Sequence, residues 1–441
     1  MTSPHSAQPA AQSTARAAGQ APVEACPAGC PDYVEASALS RRRFLGTTVL
    51  GAAVATTAVF GDTLVSTNYA HAAQPGSRPN VLVLVSMRGA ADGLSIVVPH
   101  HDPVYYAARR SIAVPKSTLL AADDHFGLHP ALAPLLPMWK AGSFGAVHAT
   151  GLPARNRSHF EAMELLEAAD PGSTVRSGWL NRLVGRDGVQ TSIDAVSFAG
   201  PVPSTLTTGP VPAFSTGSLD DAQIPTFTHA REAADRRQAA LLQAWNGTST
   251  DLAEGLLDAL DTVAELAPAR ALPKPTYPDT DLARALRDTA RTIKADVGAE
   301  AITVDTGTWD HHASMGTIEW GAQLRSTTAL AEALAAFFAD LGTDADRVTV
   351  VTVSEFGRRV RENASGGTDH GYGNVMLLLG AGVRGGRYHG RWPGLVDHED
   401  ADLEVTTDYR TVLDEVITAR FGSASGVFPG FTANHIGVMH P

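Results

Sequence analysis

Beyond residue 30 this chain has no cysteine. Both cysteines, Cys26 and Cys30, lie upstream of a run of three arginines at Arg41–Arg43. A chain that starts after that run has no disulfide, no thiolate metal site and no cysteine nucleophile. Aromatic residues are sparse at 6%, and no apolar run after residue 72 reaches the ~20 residues that span a bilayer. Basic residues are also in short supply, with 34 Lys and Arg against 46 Asp and Glu. Four of each sign precede Ala73, so the remainder keeps the net charge of −12. That balance excludes the basic stripe nucleic-acid binding requires.

The 44% hydrophobic content is enough for a large core, and the 441-residue length admits one large domain or two ordinary ones. Residues 1–72 read as a leader. "SRRRFLG" precedes the moderately apolar, small-residue stretch "TTVLGAAVATTAVFG", and Ala70-x-Ala72 forms a small-residue cleavage site. The paired arginines make it a twin-arginine signal, an address read by the export machinery rather than an anchor. The expected destination is periplasmic or extracellular, with no stable membrane span after cleavage.

Residues 73–441 read as alternating strands and helices. "NVLVLVSM" (80–87), "FGAVHAT", "SIDAVSFAG", "AEAITVD", "RVTVVTV" and "GNVMLLLG" are the strands. Between them, "HPALAPLLPMWKAG" and "GWLNRLVG" predict short helices, and Glu319–Leu341 predicts a long one with an apolar face. "SHFEAMELLEAAD" predicts a helix with a Ser158/Glu161 capping box, and "TTDYRTVLDEVITARFG" a last helix capped by Thr406 or Thr407. Residues 200–228 lack a period and 229–298 hold three helical stretches, so 200–298 reads as a loop and helical insertion. The alternation predicts an α/β fold with a mostly parallel central sheet. Ligands of such folds sit beyond the carboxyl ends of the strands.

Reactive residue types gather in those loops. Arg88 and Asp92 follow the first strand, and Arg157, Ser158 and His159 follow "FGAVHAT". Asp305, Asp310, His311 and His312 follow "AIT"; Glu355 and Arg358 follow "VTVVTV"; Asp369 and His370 precede "VMLLL". Mixed Asp, Glu and His sets suit a divalent transition metal. Each feature also has a plain reading: Asp92-Gly93 as a turn pair, Ser158 as a helix cap, His159 as a packed side chain, Asp369-His370 as a brace for a glycine-rich turn.

The motifs "RGAADGLSIVVPHHDPVYY", "FGLHPALAPLLPMW", "GLPARNRSHFEAMELLE", "TGTWDHHA", "VTVSEFGR" and "GGTDHGYGNVMLLLGAGVRGG" occur in this order over nearly all of residues 73–441. In this the chain resembles the "domain of unknown function 1501" family of twin-arginine-exported bacterial proteins, and more distantly the alkaline phosphatase and sulfatase-like superfamily. The resemblance implies a three-layer α/β/α sandwich and hydrolysis of a phosphate or sulfate ester. It also implies a divalent metal (Zn, Mn, Fe or Ca). Ser158 matches the superfamily's nucleophile at a helix N-terminus, with His159 beside it, and His370 matches its final histidine. Its strand-ending metal Asp has only Asp92 nearby. Its Asp-x-x-x-His pair has His312 but Thr308 in place of the acid, so Asp310 or Asp305 would substitute. Its Asp-His-Gly falls on Glu355-Phe356-Gly357. The implied metal ligands are therefore drawn from Asp92, Asp305, Asp310, His311, His312, Glu355, Asp369 and His370, and the anion clamps from Arg88, Arg157 and Arg358. Two alternatives remain: a metal-free pocket on the same loops, and a non-catalytic binding or assembly protein on a degenerate scaffold.

Overall fold

Long valine-rich runs, buried on both faces, dictate the centre of the molecule. The structure, a computed structural model, describes residues 78–174, 177–187, 191–224, 231–248 and 250–441. The leader read over residues 1–72, with its arginine pair and cleavage site, lies outside the described residues. The strands of the main sheet are β1 Val81–Met87, β2 Phe144–Gly151, β3 Ala195–Ser197, β4 Phe214–Ser215, β5 Ala301–Thr306, β6 Val348–Val353, β7 Asn374–Gly380, β8 Tyr388–His389 and β9 Thr407–Asp408. Their order is β8-β2-β7-β6-β1-β5-β3-β4, with β9 also paired to β2. β1 runs parallel to both β5 and β6. β7 is the reversed strand, antiparallel to β2 and to β6.

This single reversal matters for the site. At the carboxyl edge of the parallel strands, β7 presents its beginning rather than its end. The segment before Asn374, carrying Asp369 and His370, therefore joins the loops that follow β1, β2, β5 and β6.

Alternate side chains of β1 point to opposite faces, as strand geometry requires. Val81, Val83, Val85 and Met87 enter one core, with apolar residues of α3 (Asp281–Lys294) and α4 (Ala322–Leu341). Leu82 and Leu84 enter the other, with those of α1 (His159–Ala168), α2 (Trp179–Val184) and α5 (Tyr409–Phe421). The fold is thus the three-layer, mostly parallel α/β/α sandwich the alternation predicts. α4 buries Leu330, Leu334, Phe337 and Leu341 at helical spacing and stops at Gly342, whose φ of 56° ends the helix. No helix among the described residues is long and apolar enough to cross a membrane.

Local details differ from the sequence expectations. Ser158 is the N-cap of α1, but its side chain makes no capping bond, so the predicted capping box does not form. α5 is capped by Asp408, which accepts from Arg410 N, not by Thr406 or Thr407. A carboxylate competes well for that place because it also offsets the helix dipole. The 200–298 region is not all insertion. Phe214–Ser215 extends the sheet at its edge, and α3 is a full member of the layer beneath β5.

Candidate metal centre

The loop after β1 is pinned onto the loop after β5. Gly89 has a φ of 109°, and a side chain there would meet Asp310 N at 2.7 Å. Only glycine allows this approach. Across the sheet, Gly371 lies against the backbone of Arg358, where a Cβ would meet Arg358 C at 2.4 Å. These contacts bring His159, Asp310 and His370 together, with His312 at their flank.

His370 is central. Its Nε2 lies 2.9 Å from His159 Nε2 and 2.9 Å from His312 Nε2. Asp310 Oδ1 is 3.0 Å from His312 Nε2 and 3.5 Å from His370 Nε2, and Asp310 Oδ2 is 3.7 Å from His159 Nε2. His159, Asp310 and His370 offer ligand atoms that all lie within 4.8 Å of one another. His312 flanks this trio.

The other nitrogen of each ring is held by an oxygen that can only accept. His159 Nδ1 donates to Glu355 Oε1 at 2.8 Å, and His312 Nδ1 to Asp369 Oδ1 at 3.1 Å. His370 Nδ1 donates to the Arg157 carbonyl at 3.0 Å. These acceptors favour the tautomer with the proton on Nδ1, which leaves the His159 and His312 Nε2 atoms turned toward His370 and Asp310. Burial, joined by repulsion from Arg358, His159 and His312, outweighs the Arg157 carbonyl and holds the His370 pKa below its ordinary value. A second proton on His370 is thus disfavoured, and the ligand atoms of His159, Asp310 and His370 lie close enough together to hold a metal ion. Oxygen partners on the far nitrogen are the usual accompaniment of metal-binding histidine.

Arg358 sits behind Asp310. Its guanidinium is fully buried and donates to Asp310 Oδ1 at 2.5 Å, and to the carbonyls of Gly89 (2.5 Å), Ala90 (2.6 Å) and Thr368 (3.0 Å). Burial raises the Asp310 carboxyl, but Arg358, His312 and His159 outweigh it and hold the group ionised below its ordinary pKa. Phe356 closes the inner wall, its ring 5.0 Å from both His159 and His370. The outer side is open: side-chain exposure is 29% for His159, 24% for His370, 44% for His312 and 46% for Asp310. Donors on one side and solvent on the other leave room for a substrate.

The remaining candidates are placed as follows. Glu355 is buried behind His159 with both oxygens occupied: Oε1 also accepts from Gly89 N at 2.8 Å, and Oε2 from Ser354 Oγ at 3.1 Å. Its carboxylate holds the far nitrogen of the His159 ring, as Asp369, which also accepts from Asn363 Nδ2, holds that of His312. Asp305 pairs with Arg88 at 2.5 Å, and Arg88 also holds Glu167 at 2.7 Å. His311 is buried the other way, against the Thr308 carbonyl and Gln323. Arg157 points its guanidinium at Asp402. Arg358, wholly enclosed, has no face for an anion. Ser158 is exposed, next to His159.

Asp92 lies apart from the cluster. It is 1% exposed and is gripped by both terminal nitrogens of Arg109, at 2.5 and 2.9 Å. The Arg109 charge outweighs burial and keeps its pKa low. Breaking one side of a buried pair strands the other charge. Asp92→Ala is expected to cost roughly 3–5 kcal/mol in urea unfolding, with metal content per folded chain unchanged. A loss of metal at unchanged stability would make Asp92 a ligand after all.

A family model described as "Protein of unknown function (DUF1501)" matches residues 79–418. A search of curated protein sequences finds no match. Among solved structures, the chain is similar to the C-terminal periplasmic domain of EptC from Escherichia coli in complex with Zn, at 11% identity and TM-score 0.30, covering 70% of this chain and 74% of that one. It is similar to the lipoteichoic acid synthase LtaP from Listeria monocytogenes at 9% identity and TM-score 0.33, covering 79% and 73%. It is also similar to the alkaline phosphatase of the Antarctic bacterium TAB5 at 10% identity and TM-score 0.27, covering 71% and 95%.

Proposed function

The chain belongs to the DUF1501 family of proteins of unknown function, and from that premise and the geometry of the cluster we propose that it is an exported, metal-dependent hydrolase of phosphate or sulfate esters. One observation carries this reading: the Nε2 atoms of His159, His312 and His370 converge on Asp310 while every Nδ1 is tied to an oxygen acceptor. His159, Asp310 and His370 would hold the ion, with His312 at its flank. An imidazole-rich set favours Zn, Fe or Mn over Ca, which prefers all-oxygen shells. Such an ion would supply Lewis-acid polarisation of an ester oxygen.

The chain's own groups account for the rest. Glu355, Asp369 and the Arg157 carbonyl fix the ring orientations. Arg358 keeps Asp310 anionic and in place. Phe356 excludes water from the inner wall. Ser158 is the candidate nucleophile: its hydroxyl is exposed, makes no capping bond, and stands at the N-terminus of a ten-residue helix beside His159. Unsatisfied N–H groups at such an end favour an oxyanion or a bound anionic ester. His159 holds the chain at that point, so the hydroxyl is carried by the same turn that carries a ligand.

Assay of the metal-loaded protein on aryl phosphates and aryl sulfates tests the reading. Ser158→Ala should retain its metal and lose roughly a thousandfold or more in kcat. Wild-type turnover in that variant would remove Ser158 from the chemistry. The absence of turnover in wild-type protein carrying its metal would favour a binding protein on a hydrolase-like scaffold. A twin-arginine leader over residues 1–72, as their sequence is read above, would have metal loaded before export, since that pathway carries folded proteins.

A further inference from the structure

Two loops meet at His312, on the flank of the cluster. The segment 363–369 lies along the loop after β5. Thr368 N donates to the His311 carbonyl at 3.1 Å, Ser314 N to the Ser365 carbonyl at 3.1 Å, and Met315 N to the Gly366 carbonyl at 2.9 Å. One side chain joins the same two loops. Asn363 Nδ2 donates to the His312 carbonyl at 2.9 Å and to Asp369 Oδ1 at 2.9 Å. Its Oδ1 accepts from Ser365 N at 3.0 Å and from Gly367 N at 3.1 Å.

An asparagine amide has two N–H donors and two lone pairs on its oxygen. All four are spent here, and only one orientation of the amide spends them. Nδ2 faces a carbonyl and a carboxylate, which accept; Oδ1 faces two backbone N–H groups, which donate. Turned over, the amide would lose all four bonds. Asp369 Oδ1 also accepts from His312 Nδ1 at 3.1 Å. Asn363 therefore holds His312 at both ends, its main chain directly and its ring through Asp369. Held so, His312 Nε2 lies 2.9 Å from His370 Nε2 and 3.0 Å from Asp310 Oδ1.

We propose that Asn363 is a positioning residue of the metal centre, and that it aims His312 Nε2 at the ion held by His159, Asp310 and His370. The proposal rests on the metal-dependent reading above. The His312 side chain is 44% exposed, so little packing fixes its ring. A ring left free would give up rotamer entropy each time it met the ion. The closed circuit of Asn363, Asp369 and His312 settles that cost when the chain folds.

Asn363→Asp is the informative substitution. The shape stays, and one carboxylate oxygen still accepts from Ser365 N and Gly367 N. The other oxygen replaces the donors and faces the Asp369 carboxylate and the His312 carbonyl, so repulsion opens the circuit. The backbone bonds between the two loops do not use this side chain, and the variant should fold.

The test is Zn²⁺ affinity of the full-length protein, by competition with a fluorescent chelator. Losing the partner that orients a metal histidine costs 10–100-fold, so Asn363→Asp should weaken binding by about tenfold or more. In a His312→Ala background the same change should cost nothing further, because a residue that acts through another has no effect once the other is gone. Unchanged affinity in Asn363→Asp would overturn the proposal. So would an equal loss with and without His312, which would make Asn363 only a fastener of the loop that carries His370. If wild-type protein takes up no metal, the metal reading fails, and the positioning is read on the metal-free protein by long-range ¹H–¹⁵N NMR of the histidine rings. The His312 signals are assigned by their loss in His312→Ala. Wild type should show the Nδ1–H tautomer of His312, and Asn363→Asp a mixture with the Nε2–H form. The same tautomer in both proteins would sink the positioning role.

Discussion

His370→Ala is expected to strip the protein of its metal. His370 Nε2 is the atom shared by the whole cluster, 2.9 Å from the Nε2 of His159 and of His312 and 3.5 Å from Asp310 Oδ1. Without it, His159 and Asp310 keep only their 3.7 Å relation, and His312 loses its link to His159. Removing even an outer partner of a metal histidine costs 10–100-fold in affinity, so removing the central ring should cost roughly a hundredfold or more. The variant should still fold, because His370 is partly exposed and belongs to a loop rather than to the core. Glu355→Gln should fall between. A neutral amide still accepts from His159 Nδ1, but it no longer favours that tautomer as a carboxylate does, and about tenfold weaker binding is expected. Competition with a fluorescent chelator measures both. Equal affinity in wild type and His370→Ala would place the metal, if any, elsewhere.

The second large effect concerns stability. Arg358→Met should destabilise the fold by roughly 3–5 kcal/mol, because the carbonyls of Gly89, Ala90 and Thr368 and the half-exposed Asp310 carboxylate lose their donor together. The guanidinium ties Gly89 and Ala90 of the β1 loop, Thr368 of the β7 loop and Asp310 of the β5 loop into one unit. Arg358→Lys should rescue little, since one ammonium cannot reproduce a planar fork aimed at several acceptors. Urea unfolding followed by far-UV circular dichroism is the measurement. A loss under about 1 kcal/mol, the range of an ordinary surface substitution, would mean that these loops are held by other means.

Much of this was legible in the sequence, for physical reasons. Valine-rich runs buried on both faces identify parallel strands without a structure. The strand-end rule then points to the loops where His159, Asp310, His312, Glu355, Arg358 and His370 meet. Direction was harder to read. "GNVMLLLG" has the same composition as the parallel strands, yet it runs antiparallel. That is why His370, which precedes its strand, shares an edge with residues that follow theirs.

Role was harder still. Glu355 and His159 are both plausible ligands by type. Only geometry shows His159 facing the point of convergence and Glu355 standing behind it. Asp92 has the place of a metal acid in the sequence order, but Arg109, seventeen residues on, captures it at the end of a short helix and buries it. His311 and His312 are neighbours in sequence and face opposite ways, one against Gln323 and the other against His370. The Asp310-x-His312 spacing departs from the Asp-x-x-x-His pair that the sequence resemblance implied, and Thr308 in this turn has a positive φ. Phe356, unable to be a ligand, packs against the His159 and His370 rings.

The most direct measurement is the metal content of the full-length protein, purified at neutral pH without chelator and read by inductively coupled plasma mass spectrometry. The convergence of His159, His312, His370 and Asp310 predicts about one Zn, Fe or Mn ion per chain, lost in His370→Ala. Wild-type protein with no metal, and with no thermal shift on adding Zn²⁺, Fe²⁺ or Mn²⁺, would contradict it.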